Sequence, residues 1–217
     1  MRDDPPGDLR REWGRTCAGL GAADEDAIEG GWIVIESLYA QPPRAYHNLG
    51  HVADCLATCL RMASIPVTSA RPEIIRLAIF AHDCVYDSRR DDNEARSARV
   101  ARLLARGLGL TDAQCTQVAT LVLATTHKGE PHSDAEAFIR DVDLVSLAAT
   151  PEEFDANTRT IRQEYRWATD EQWRQGRSAF FRDMLARPAI YALREFREAY
   201  ERAARDNLGR ALRALGA

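Results

Sequence analysis

The hydrophobic pattern of this chain is helical along almost its whole length, and this constrains its fold more than any other feature. Alanine, leucine and arginine are frequent, and the strict apolar–polar alternation of a half-buried strand is nearly absent. Proline and glycine fall mainly between the periodic segments. The pattern predicts an all-α protein with helices at about 8–20, 24–40, 46–63, 71–86, 91–107, 111–127, 134–148, 151–166, 170–186 and 189–214.

Several helix ends have specific signals. Gly107 and Gly109 predict the end of one helix, and Thr111 predicts the N-cap of the next. Pro188 predicts the start of the last helix or a kink in it. The length of 217 residues suits a single domain over 1–217, with a core at about 30–148 and a helical C-terminal part at about 150–215.

Charge and composition restrict the partners. The formal net charge is −4, which argues against a general nucleic-acid binder but allows a local basic pocket for one small anion. Residues 1–13 lack the apolar stretch of a signal peptide, and no apolar run reaches bilayer length. The five cysteines contain no CxxC pair, as expected for free thiols in a reducing compartment. We therefore expect a cytoplasmic protein without membrane contact; a homodimer stays open.

The most informative stretch is the apolar segment 77–86, which His82 and Asp83 interrupt. Burying an unpaired carboxylate is unfavourable, so this pair needs a partner. One interpretation is a hydrogen-bonded His–Asp pair within the core. The other is a pair of metal ligands.

A second stretch carries His47 and His51, which are four residues apart and would share one face of a helix. The same spacing supplies two zinc ligands in some metalloproteases. Cys55 and Cys59 continue this stripe, so a zinc site of His51, Cys55 and Cys59 is an alternative. Buried cysteines on an apolar helix face are, however, commonly part of the core.

A third stretch contains Asp141 and Asp143 in the sequence IRDVDLV. The two carboxylates point in different directions on a helix, so only one of them faces inward. Asp141 suits a helix cap, and Asp143 is the better candidate for the inward position.

Together the three stretches provide His51, His82, Asp83 and Asp143 as candidate metal ligands. Two neutral imidazoles and two carboxylates would balance the charge of one divalent cation. Mixed nitrogen and oxygen ligands suit Mn²⁺, Fe²⁺, Co²⁺, Ni²⁺ or Mg²⁺ and do not exclude Zn²⁺.

This order of ligands resembles the HD-domain superfamily of metal-dependent phosphohydrolases. The stretch YHNLGHVAD is similar to the YHN-x-x-H-A-x-D segment of cyclic-nucleotide phosphodiesterases, which share that fold. A bacterial branch of predicted HD phosphohydrolases is similar also in HDCVYD, DNEARSA, TTHKGE and AYERAARDNL. The resemblance covers about residues 30–208 and implies an HD-domain-like helical bundle with an additional C-terminal helical cover.

The resemblance also implies roles. It makes His51, His82, Asp83 and Asp143 the metal ligands and His47 the general acid, with His127 as a second candidate proton donor. The expected reaction is hydrolysis of a small phosphorylated or nucleotide substrate by a metal-bound water. Candidate substrate-binding residues are Glu94, Arg166 and Arg177, although an arginine on a solvated helix face is common.

The chain departs from the superfamily at two places. Many of its nucleotidases carry a glutamate three residues after the HD aspartate, where this chain has Tyr86. Members with two metals carry more histidines before the final aspartate, and here only His127 and His132 are available. We therefore expect one divalent ion. Two other functions stay open, a non-catalytic metal or nucleotide sensor and an iron-dependent oxygenase of the same fold.

Overall fold

The structure, a computed structural model, describes residues 5–216 and the side chains of residues 9–216. Within that range it contains ten α-helices, one 3₁₀ helix and no strand, which confirms the predicted all-α fold. The α-helices are α1 (Pro5–Leu20), α2 (Glu25–Tyr39), α3 (Leu49–Arg61), α4 (Pro72–Ala81), α5 (Asn93–Gly107), α6 (Asp112–Ala124), α7 (Asp134–Leu144), α8 (Pro151–Glu164), α9 (Asp170–Ala186) and α10 (Arg194–Ala214).

The ends of the expected domain, residues 1–4 and 217, lie outside the described residues, as do the first four residues of the segment expected to lack a signal peptide. The single-domain boundaries therefore stay a prediction. No helix in the described part of the chain is long and apolar enough to cross a membrane.

Helix α4 is the centre of the bundle. It contacts α1, α3, α5, α6 and α7, and every residue from Leu77 to Ala81 is buried. A helix that is apolar on all sides is stable only when other helices surround it. His82 and Asp83 follow directly after the last residue of α4, so the core positions their backbone.

Local signals set several helix boundaries. The hydroxyl of Thr111 accepts a hydrogen bond from the backbone N–H of Gln114, which confirms the predicted cap of α6. Before it, Gly109 has a φ of +80°, and the N–H of Leu110 reaches back to the carbonyl of Ala105. This left-handed turn ends α5 as the two glycines predicted.

Several predicted helices are wrong at their ends. Helix α6 ends at Ala124 rather than 127, and α7 ends at Leu144 rather than 148 because a 3₁₀ helix follows it. Helix α3 begins at Leu49 rather than 46, because the side chain of Asn48 caps it by accepting from Gly50. Helix α4 ends at Ala81 rather than 86.

The start of the last helix is also wrong. The sequence predicts it at 189, after Pro188, but α10 begins only at Arg194. Two carboxylates accept hydrogen bonds from the backbone N–H groups that precede it. Glu201 binds the amides of residues 190 and 191, and Asp141 binds those of residues 192 and 193, at 2.7 Å each for Asp141. The backbone N–H groups of residues 190–193 therefore have hydrogen-bond acceptors although the segment is not helical, because side chains from α7 and α10 replace the carbonyls of a helix.

Helices α8 to α10 and the 3₁₀ helix (Val145–Ala148) cover one side of the bundle. The buried apolar residues form one cluster that extends from Leu9 to Ala211 and includes residues of this cover. Between the cover and helices α3 to α7 lies a cavity of about 690 Å³.

Candidate metal centre

Three separate segments bring four predicted ligands together beside this cavity. The Nε2 atoms of His51 and His82 lie 3.2 Å apart. Asp143 Oδ1 lies 3.1 Å from Nε2 of His51 and 3.5 Å from that of His82. Asp83 Oδ2 lies 3.2 Å from Nε2 of His82 and 3.8 Å from that of His51. The four residues come from α3, the end of α4 and α7, so the fold alone assembles the group.

The orientation of His82 places one ring nitrogen among the other candidate ligands. Its Nδ1 donates to the carbonyl oxygen of Ile79 at 2.8 Å, so in the neutral ring Nε2 carries a lone pair. That lone pair points at two carboxylates and a second imidazole. Acceptors gathered in a buried place are unfavourable unless a proton or a metal ion lies between them.

The pKa of His82 reflects the same requirement. Burial alone would lower it, but the charges and hydrogen bonds of Asp83 and Asp143 outweigh burial and raise it well above its usual value. The pKa of Asp143 is held well below its ordinary range. Burial opposes this shift, but hydrogen bonds from His127, His51 and His82 are stronger. Without a metal, a proton shared within the group neutralises part of its charge.

The distances also fit a cation. Ligand atoms held at about 2.1 Å from one ion are about 3.0 Å apart at right angles and about 3.4 Å apart in a tetrahedron. The five separations given above run from 3.1 to 3.8 Å. Of the four predicted ligands, His51, His82 and Asp143 belong to the group whose ligand atoms all lie within 4.8 Å of one another, whereas Asp83 is not part of that group. The carboxylates of Asp83 and Asp143 would together balance a charge of +2.

Cys55 offers a different fourth ligand. Its Sγ lies 3.8 Å from Nε2 of His51, and ligand atoms of His51, Cys55, His82 and Asp143 all lie within 4.8 Å of one another. Burial raises the pKa of the Cys55 thiol well above its usual value, and the charge of Asp143 adds to the effect. The thiol therefore stays protonated unless a cation displaces its proton. Cys59, the third member of the alternative zinc site, is not part of this group of described residues.

Two ligand sets are possible, with either Asp83 or Cys55 beside His51, His82 and Asp143. The variants Asp83→Asn and Cys55→Ser distinguish them. We expect Asp83→Asn to weaken metal binding by about 100-fold or more, since even residues that only orient ligands are worth about 10–100-fold. Cys55→Ser should retain the metal, as should the control Cys59→Ser. Metal content of protein purified without chelator measures the difference. A metal-free Cys55→Ser beside a fully loaded Asp83→Asn would instead assign the soft ligand set, which favours zinc.

His47 does not lie on the helix of His51, so the prediction that the two share a helix face is wrong. It precedes the N-cap Asn48, and the segment is non-helical there. Both rings nevertheless line the cavity, with centroids 6.0 Å apart. The ring of His47 stacks on Tyr86 at 4.1 Å.

Glu164, the last residue of α8, holds His47 in place. It is fully buried, and one oxygen accepts from the backbone N–H of Tyr46 and of His47 at 2.7 and 2.9 Å. Its other oxygen lies 2.6 Å from Nδ1 of His47. Burial would raise the pKa of Glu164, but the hydrogen bonds from His47 and these amides lower it overall. Among the described residues Nε2 of His47 has no partner. The sequence reasoning missed Glu164, because one glutamate at a helix end has no local signature.

Arg44, also missed, joins the two segments that carry ligands. Its guanidinium donates to the carbonyl oxygens of Asp83 at 2.5 Å and Cys84 at 2.7 Å. It also donates to the carbonyl of His47 at 3.0 Å. The carbonyls of Asp83 and Cys84 follow the end of α4, where backbone carbonyls have no hydrogen-bond partner within the helix. Arg44 therefore holds the segment of Asp83 and Cys84 against the segment that precedes α3.

His127 supports Asp143 from the other side. Its Nε2 lies 2.8 Å from Oδ2 of Asp143. The Oδ1 atom of the same carboxylate lies next to His51, so its two oxygens face different histidines. The backbone of His127 is left-handed, with a φ of +54°, a conformation rare outside glycine but more common for histidine. Its Nδ1 is buried without a hydrogen-bond partner in the described chain.

The remaining predicted residues are placed as follows. Glu94, in the first turn of α5, lines the cavity, and burial raises its pKa. Arg177 on α9 also lines the cavity. Arg166 is exposed and does not line it. Asp141 is buried within α7, where it accepts from the segment before α10 instead of capping its own helix.

No protein-family model, no curated protein and no solved structure matches the chain. The fold and the site alone therefore define the class. This is an all-α protein with a buried group of His51, Cys55, His82 and Asp143 that could hold a metal ion. Membership of the HD-domain superfamily stays a prediction.

Proposed function

We propose that the chain is a metal-dependent phosphohydrolase of the HD-domain superfamily that acts on a small phosphorylated substrate. One observation carries the proposal: three of the four predicted ligands, His51, His82 and Asp143, lie together beside a cavity that also contains a histidine backed by a buried glutamate. A metal centre next to a candidate proton donor in an accessible cavity is what hydrolysis of a phosphate ester requires.

In this proposal His51, His82, Asp83 and Asp143 hold one divalent cation. When bound, such an ion supplies Lewis-acid polarisation of a phosphoryl oxygen and lowers the pKa of water. His82 is fixed for this role by its hydrogen bond to Ile79, and Asp143 by its contact with His127.

His47 acts as the general acid for the leaving group. Its Nδ1 is held by Glu164, which leaves Nε2 to carry the proton that is transferred to the leaving oxygen. The contact with Glu164 fixes the direction of Nδ1, and the stack with Tyr86 fixes the ring plane. His127 is less suited to this step, because its Nε2 is occupied by Asp143 and its Nδ1 is buried. We assign it to positioning Asp143.

Metal analysis followed by a substrate screen tests the proposal. Protein purified without chelator should contain close to one divalent ion per chain and should hydrolyse at least one phosphomonoester or phosphodiester. A full metal site without turnover on broad pools of both ester classes would contradict the hydrolase and favour a sensor. Two iron ions per chain with oxygen consumption would favour an oxygenase.

A further inference from the structure

Arg177 is a cation inside the cavity, held by aromatic rings. Its guanidinium carbon lies 4.6 Å from the ring centroid of Phe181, 5.0 Å from Phe180 and 5.9 Å from Trp173. Burial lowers the pKa of Arg177 to about 10, which still leaves it charged at neutral pH. Aromatic faces attract the cation but do not neutralise it.

This cation has no counter-ion among the described side chains. No hydrogen bond or ion pair joins it to residues 9–216, and its Nε is buried and unpaired. The titratable groups that influence it are the hydroxyls of Tyr46, Tyr86 and Tyr165. Burial raises the pKa of Tyr46 and Tyr86, so these two are neutral near pH 7. Arg177 is partly exposed to the cavity while its Nε is buried, so an anion bound in the cavity would complete its unsatisfied hydrogen bonds.

Arg177 belongs to the cover and the metal ligands to the bundle, so they reach the cavity from different elements. Tyr46 lies near both, since its ring centroid is 5.1 Å from that of His51 and its hydroxyl influences Arg177. Neither Asp83 nor Asp143 is among the groups that influence Arg177. Arg177 and the candidate ligands His51 and Asp143 therefore line the same cavity from different helices.

The cover contributes a second unsatisfied polar group. The hydroxyl of Thr158 on α8 lines the same cavity, and its oxygen is buried without a hydrogen-bond partner in the described chain. In contrast, Arg90, the other arginine of the cavity wall, is paired with Asp92 at 2.6 and 2.7 Å. Of the two arginines, only Arg177 has its guanidinium free for a ligand.

We propose that Arg177 binds a second anionic group of the substrate, a carboxylate or a phosphate, away from the phosphoryl group that reacts. The inference rests on the proposed hydrolase and defines its substrate class as phosphate esters with two separate anionic groups. A guanidinium offers five N–H donors in a planar fork that matches either oxyanion. Arg177 is thus a specificity-determining residue.

Anion titration tests the site before any substrate is known. Trp173 lies beside Arg177, so inorganic phosphate or acetate bound there should change tryptophan fluorescence, relative to chloride at equal ionic strength. Arg177→Gln should weaken phosphate binding at least about tenfold, and Arg177→Lys, which keeps the charge, should weaken it less. Arg166 is exposed and does not line the cavity, so Arg166→Gln should bind phosphate as the natural chain does. Equal titrations of natural chain and Arg177→Gln, with both proteins folded, would overturn the proposal.

Two further arms separate this inference from the proposed function. In His82→Ala, phosphate binding that depends on Arg177 should persist, because the subsite does not use the metal. If His82→Ala keeps its metal while Arg177→Gln loses phosphate, the metal assignment fails and the anion subsite stands. With a substrate from the screen, Arg177→Gln should raise KM for esters with a second anionic group and leave kcat and singly charged esters nearly unchanged. An equal loss of kcat for both kinds of ester would place Arg177 on the reacting phosphoryl group and overturn the inference.

Discussion

Replacing His82 by alanine is expected to release the metal ion and to lower the melting temperature by roughly 5–10 °C. The imidazole is buried at the end of α4 and faces three other candidate ligands, and alanine has no ligand atom to take its place. An ion present at about 100 times its Kd stabilises the folded state by about 2.7 kcal/mol, which its loss removes. The ion also joins α3, α7 and the end of α4. Metal analysis and thermal unfolding measure the two effects.

The order of stabilities gives the sharper comparison. The metal-loaded natural chain should be most stable, the same chain treated with chelator intermediate, and His82→Ala least stable. The chelated chain can still place a proton on His82, whose pKa the two carboxylates raise, whereas the alanine variant cannot. His132→Ala is the matched control, because His132 is exposed and does not line the cavity. Full metal occupancy in His82→Ala would contradict the centre described here.

The same pKa predicts how the effect of chelation depends on pH. In the metal-free chain the folded pKa of His82 lies well above the unfolded value of about 6.5. Its protonation therefore stabilises the chelated protein fully below about pH 6.5, and this contribution is lost as the pH rises through the folded value. The melting temperatures of loaded and chelated protein should diverge as the pH rises. A difference that shrinks with rising pH would contradict this assignment.

Replacing His47 by alanine is expected to abolish most turnover while leaving the metal bound. General acid catalysis typically contributes about 10²–10⁴-fold, and the loss should be largest for esters with poor leaving groups, which need protonation. Nδ1 of His47 contacts Glu164, and its ring face stacks on Tyr86. Neither contact involves a candidate metal ligand. Metal content and kcat for a series of esters with different leaving groups measure the two properties.

A pair of further variants tests the role of Glu164 in the same experiment. Glu164→Gln keeps the shape of the side chain but removes the charged acceptor beside Nδ1 of His47, so kcat should fall while the metal content stays unchanged. His51→Ala should lose both metal and activity. Metal loss in His47→Ala together with metal retention in His51→Ala would show that the roles of the two histidines are exchanged.

The sequence predicted the helices well because helices depend on local periodicity. Apolar residues at helical spacing and local caps such as Thr111 give most of the ten helices to within a few residues. One error, the start of α3, comes from the local cap Asn48, and another comes from distant residues. The amides before α10 are bound by Asp141 and Glu201, and no signal near residue 190 announces those partners.

The candidate ligands were also visible in the sequence, because polar residues in apolar segments are unfavourable without a partner. That reasoning selected His51, His82 and Asp143, which the structure brings to within hydrogen-bonding distance. It also selected Asp83 and kept Cys55 only with Cys59 in an alternative zinc site, whereas the group within 4.8 Å contains Cys55 and neither Asp83 nor Cys59. Which side chain completes the group depends on how α3 and the end of α4 pack, which the sequence does not show locally. The same reasoning placed His47 on the helix of His51, where the Asn48 cap excludes it.

What the sequence by itself determined is the all-α fold, the approximate helices and the residue types that could bind a metal. Only the tertiary structure decided that Glu164 lies behind His47, that Arg44 links the two ligand segments and that Arg177 lies in the cavity without a counter-ion. The physical reason is range. Helix propensity and capping act over a few neighbouring residues, whereas Glu164 is 117 positions from His47, and only packing of the whole chain brings them together.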